Sequence, residues 1–165
     1  MAEELTPTTA DGGVPEIAPL TINAQYVKDL SFEIPNAPGI FGEMQNTPPE
    51  INIDIKVNAQ KLSDNVYEVM IGINSTCEVG EHKGFILELV YAGTFTLNIP
   101  EEHIQAILLI ECPRMIFPFL RRIVSDVTRD GGFPPLNLEQ IDFVAIYRQQ
   151  LALRAEQQKK AEAKA

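Results

Sequence analysis

Two histidines, two cysteines and twenty-three acidic side chains are the residues of this 165-residue chain best suited to chemistry, and their spacing supports little of it. His82 and His103 lie far apart, and neither has a second His, Cys or acid at a familiar ligand interval, whereas structural zinc sites usually show four ligands. Cys77 and Cys112 form no C-x-x-C pair, and no general base is placed beside Cys112, so both read as small packed thiols of a reducing compartment. There is no nucleophile elbow, Walker loop or dinucleotide fingerprint; the Gly pairs at 12–13 and 131–132 read as leader and connector. Pairing any two of so many carboxylates into an acid/base couple would be arbitrary. An enzyme is unsupported, and no cofactor or metal is expected.

Two constellations remain. Asp29 and Glu33 share the outward parity of one strand and Glu88 interrupts an apolar one. Together they form either an acidic patch or a set of unrelated charges that solubilise strand edges. Ile40, Phe41 and Met44 follow a strand stopped by Pro35, Pro38 and Gly39, while Phe117, Phe119 and Phe133 sit near breaks in a helical region. Flexible Met and aromatic side chains on loops make an adaptable surface for unlike extended peptides; the alternative is that they plug the core.

The elements that must hold these residues follow from periodicity. Leu20, Ile22, Ala24, Tyr26, Leu30, Phe32 and Ile34 alternate with polar residues, Val27 and Lys28 being the exceptions, which predicts a long half-buried strand. Pro35 to Pro49 is a loop of functional length. Ile51, Ile53, Ile55 and Val57 alternate inward in a second strand, and YEVMIGIN and FILELVYAG supply a third and fourth across short turns, giving an antiparallel sheet. In the fourth, Phe85, Leu87, Leu89 and Tyr91 fill one parity while Ile86, Val90 and Ala92 join Glu88 on the other. Both faces therefore look covered, either by another subunit, with Leu87, Leu89 and Tyr91 as the candidate interface, or by terminal segments of the same chain.

Helix signals begin at Pro100 with Glu101 and Glu102, and Pro113 and Pro118 predict one bent helix or two short ones ending at Gly131 and Gly132. After the stiff connector GGFPPL, Asn137 with Gln140 resembles a capping box and Leu136 with Ile141 sits at staple spacing, so a final helix is expected to start there. Residues 1–17 read as a disordered leader, 18–152 as one domain, and 153–165 as a polar low-complexity tail.

Composition bounds the partners. With 45% hydrophobic and 22% charged residues the chain is globular, and a net charge of -10 disfavours nucleic acid and anionic lipid and favours a basic partner. The N-terminal stretch has no basic n-region or apolar h-region, and AILLI at 106–110 is far too short to cross a bilayer, so a soluble cytoplasmic protein without membrane insertion is expected.

KDLSFEIPNAP, LSDNVYEVMI and CPRMIFPFLRRIVSDVTRDGGFPPLNLEQIDF, in this order, closely resemble the protein-export chaperone SecB family, from about Thr21 to Tyr147. The resemblance implies an α+β subunit, a four-stranded antiparallel sheet with two long C-terminal helices, assembled as a dimer of dimers. It also implies an ATP-independent holdase of the bacterial cytoplasm that keeps unfolded precursors export-competent and hands them to the SecA ATPase. On the same ground Asp29, Glu33, Ile86 and Glu88 match positions facing the basic, zinc-bearing C-terminal tail of SecA, and Ile40, Phe41, Met44, Phe117, Phe119 and Phe133 help line a client groove. GIFGEMQNTPP departs from the family by lacking the large aromatic many relatives carry there, Met44 being the candidate substitute. A chaperone dedicated to one unstable partner such as an antitoxin, and a carboxylate-dependent enzyme, are the alternatives.

Overall fold

A computed structural model describes residues 16–164, so most of the leader expected at 1–17 lies outside the described residues. Strands β1 (Leu20–Glu33), β2 (Glu50–Ser63), β3 (Val66–Val79) and β4 (His82–Leu97) form one antiparallel sheet in the order β1-β4-β3-β2. The last three are a meander whose turns are each two residues long, Asp64–Asn65 and Gly80–Glu81. Asn65 and Gly80 carry φ of 59°, the left-handed conformation that Asn and Gly tolerate best. Strand β1 then closes on the far side of β4.

The helices cover one face. The short α1 (Gly39–Glu43) sits within the loop between β1 and β2. After β4 the chain is helical without interruption from α2 (Glu101–Ala106) through a π-helical turn (Ile107–Glu111) into α3 (Cys112–Asp130), and α4 (Phe143–Glu162) follows. Of the two alternatives the helix is thus continuous rather than split, with a π turn ending at Glu111, just before Cys112 and Pro113, and Pro118 carried inside α3. A proline cannot donate the helical bond, but burial of Leu108, Leu109, Cys112, Ile116, Phe117, Leu120 and Val124 against the sheet offsets the loss.

The core lies between these helices and the odd-numbered residues of β3 and β4. Val69, Ile71, Ile73 and Cys77 are buried with Phe85, Leu87, Leu89 and Phe95. Here the expectation for β4 is corrected. Leu87 and Leu89 are consumed by the chain's own core and present no surface to another subunit, while the opposite face, with Ile86, Glu88 and Val90, stays open.

Two further readings are corrected by tertiary anchors. The final helix starts at Phe143, capped by Asp142, whose carboxylate accepts from the Ala145 amide at 3.0 Å. Asn137 instead accepts from the Ser125 hydroxyl, and the Leu136 amide donates to the buried Thr128 hydroxyl at 2.9 Å, which ties the non-helical segment 133–142 to α3. In β1 the alternation slips at two bulges, between Ile22 and Ala24 and between Val27 and Asp29. Leu20 and Ile22 face the helices, Ala24 and Tyr26 the open side, and Val27, Leu30 and Phe32 the helices again. The polar tail from residue 153 continues α4 as exposed helix to Glu162.

Candidate functional site

The open face of the sheet gathers the acids. Across β1 and β4, Asp29 pairs with Val90, Ser31 with Glu88 and Glu33 with Ile86, and paired residues share a face. Glu88 therefore lies between Asp29 and Glu33, on diagonals of about 7–8 Å, with Ile86 and Val90 as half-buried apolar neighbours. The bulge at Lys28 makes this possible, because it restores Asp29 to the side already occupied by Tyr26. All three carboxylates are exposed, and none enters an ion pair among the described residues.

Beside them lies a buried acid that sequence reasoning missed. Glu68, on the open face of β3, is only 3% exposed. It accepts from Tyr26, from Lys28 at 2.8 and 2.9 Å, and from Gln60, so side chains of both edge strands converge on one carboxylate. The Lys28, Tyr26 and Gln60 hydrogen bonds hold its ionisation below the ordinary glutamate range against the opposing effect of burial. The same bond to Glu68 pushes the Tyr26 phenol up to about 12. Ala92, paired with both Tyr26 and Met70, is the small residue over which these side chains cross β4, and it is buried. The only hint in the sequence was that Val27 and Lys28 broke the alternation.

The apolar candidates divide into three environments. Phe32, Phe85, Phe133 and Phe41 form a chain of rings with successive centroids 5.5, 5.1 and 5.7 Å apart, joining β1, β4, the connector and α1. Within it Phe133 is buried, as is Ile40, while Phe41 and Met44 remain half exposed. Phe41 lies so close to Gly132 that a Cβ there would meet its ring at 2.9 Å. The loop is also tied to the β3–β4 turn, His82 Nδ1 lying 2.9 Å from Glu43 and Asn36 donating to the Lys83 carbonyl at 3.0 Å. Phe117 belongs to the core, edge-on to Phe143. Phe119 stands apart from the ring chain: it stacks at 6.3 Å on Tyr91, the residue paired with Val27.

Two apolar surfaces result. Val27, Leu30, Met115 and Phe119 are each 40–44% exposed along β1 and α3. The second runs along β2 and the connector, where Ile53, Ile55, Leu138 and Ile141 line a groove of about 410 Å³. Ile51 and Ile53, expected inward, reach the helix side but are left uncovered. Their signal was a strand with more inward isoleucines than the helices could shield.

Burial pushes both thiols up, Cys112 to about 12 with Glu111 adding to the effect, so neither is a nucleophile at neutral pH. Among the described residues no cluster of three or more His, Cys, Asp or Glu could hold a metal, and no helix is long and apolar enough to cross a membrane.

Fold and surfaces together define an α+β module, a four-stranded antiparallel sheet with helices on one face, an acidic open face and exposed apolar side chains. The profile of the family described as "Preprotein translocase subunit SecB" matches residues 15–154. The chain is 52% identical over 146 residues to the protein-export protein SecB of Paramagnetospirillum magneticum, covering 88% of this chain and 94% of that one. It is 51% identical over 152 residues to the SecB of a Bradyrhizobium species, covering 90% and 93%. In structure it is similar to a SecB-like chaperone of Mycobacterium tuberculosis solved with a ChAD peptide from an antitoxin, with a TM-score of 0.63, 15% identity, and 74% of this chain and 91% of that one covered. The chain belongs to the SecB family, protein-export chaperones rather than enzymes.

Proposed function

We propose that this chaperone works as a nucleotide-independent holdase in the bacterial cytoplasm, binding unfolded precursors along its apolar grooves and passing them to SecA through the acidic sheet face. The observation that carries the reading is the groove itself: exposed Ile53 and half-buried Ile55 and Ile141 line it over buried Leu138, and the 35–49 loop leaves Phe41 and Met44 half exposed. Each such contact contributes about 25 cal/mol per Å² of apolar surface buried. Holding therefore needs many contacts at once, which an unfolded chain can supply and a compact one cannot. A denatured secretory precursor diluted without ATP is expected to stay clear in light scattering as the chaperone is added, with a saturable stoichiometry. Aggregation undiminished for several unrelated precursors would overturn the general holdase and leave a chaperone dedicated to one partner.

A dimer of dimers fits the apolar surface of β1 and α3, Val27, Leu30, Met115 and Phe119, rather than the buried Leu87 and Leu89. Of the three interface residues expected from sequence, Tyr91 alone borders it, through its stack on Phe119. Phe119→Asp places a charge on this patch at the cost of the stack on Tyr91, and it is expected to lower the assembly mass seen by light-scattering chromatography while the subunit stays folded by circular dichroism. An unchanged mass would place the subunit contact elsewhere.

A further inference from the structure

The open sheet face carries three lysines, and each has a carboxylate partner: Lys28 with Glu68 at 2.8 Å, Lys56 with Asp54 at 3.5 Å, and Lys83 with Glu78. The first pair differs from the others in kind. Asp54 and Glu78 are solvated, their side chains 61% and 43% exposed, whereas the Glu68 side chain is 4% exposed and engaged by Tyr26, Lys28 and Gln60 from both edge strands. Salt and water compete weakly with a pair held in this way. Lys28 is also the extra residue of the β1 bulge, immediately before Asp29.

We infer that Glu68 is a positioning residue for the acidic docking face: it holds the Lys28 ammonium away from Asp29, Glu33 and Glu88. The consequence is three carboxylates left without a counter-ion, a charge pattern that selects a cationic polypeptide segment. The inference rests on the docking role proposed above. Were the Glu68 charge removed, Lys28, its side chain 42% exposed, would be free to turn toward Asp29, the exposed acid next to it in sequence. Intramolecular neutralisation of one acid in three would then compete with the partner.

The test uses the full chain and a labelled peptide of alternating lysine and glycine, with binding followed by fluorescence anisotropy at low and physiological salt. Glu68→Gln keeps the shape of the side chain and is expected to weaken binding about three- to tenfold at low salt, with a shallower salt dependence. Lys28→Met added to Glu68→Gln is expected to return the affinity to within about twofold of the unaltered protein, because the competing ammonium is gone. A purely architectural role for Glu68 would leave the double variant at least as weak as the single one, and that outcome overturns the inference. So does full binding by Glu68→Gln where Asp29→Asn with Glu88→Gln loses it, a result that leaves the docking reading standing. Absence of binding by the unaltered protein overturns the docking reading and this inference together.

Discussion

Phe85→Ala is expected to lower the free energy of unfolding by about 3–5 kcal/mol, the usual cost of truncating a fully buried aromatic. Phe85 is 1% exposed and stands at the middle of the ring chain, tilted on Phe32 and edge-on to Phe133. Neighbours cannot easily refill the space. Gly84 already lies against Phe133 and Cys77, and Gly131 lies against Phe32, so the backbone is at its closest approach on both sides. Urea denaturation at fixed subunit concentration should show an earlier midpoint with little change in slope. Because Phe133 in turn supports Phe41, amide exchange in the 35–49 loop should also accelerate, linking core packing to the groove. Phe85→Leu keeps most of the volume and is expected to cost under about 1.5 kcal/mol. A loss below about 1 kcal/mol for the alanine variant would mean that the connector collapses into the space and that the ring chain is not rigid.

How much of this was legible follows from which signals are local. The four strands and their antiparallel pairing across short turns announced themselves through alternation. The bulges did not, because a bulge changes which face a side chain takes without requiring a particular residue type at Lys28. Helix starts failed in the same sense. Asn137 and Gln140 have capping chemistry, but Thr128, buried and hydrogen-bonded to its own helix, captures the Leu136 amide and the cap moves to Asp142. Tertiary anchoring outweighed a local preference worth about 1 kcal/mol. At the site, the resemblance pointed to Asp29, Glu33, Ile86 and Glu88, which the fold brings to one face. The six groove candidates were scattered instead, since an aromatic near a helix break can face core, subunit surface or groove, and only packing decides which. Glu68 was invisible for a related reason: its partners Lys28 and Gln60 lie 40 and 8 residues away.

Neutralising the acidic face with Asp29→Asn, Glu33→Gln and Glu88→Gln together is expected to weaken binding of a SecA tail peptide on the order of ten- to a hundredfold at low salt, mostly through a slower association rate. The three charges sit on one solvated face within a Debye length of one another, so they act on an approaching cation as one field rather than as separate pairs. Raising the salt should therefore weaken the unaltered protein steeply and the triple variant hardly at all. Their mutual repulsion also makes them mildly unfavourable to the isolated subunit, so their removal is expected to leave the unfolding midpoint unchanged or slightly raised. Loss of docking in this variant cannot then be ascribed to loss of fold. Precursor holding should persist, because Ile53, Leu138, Phe41 and Met44 belong to the helix side and its loop while the acids belong to the open side. Joint loss of holding and docking would mean that the two faces are not separate functions, and that precursor and SecA compete for one surface.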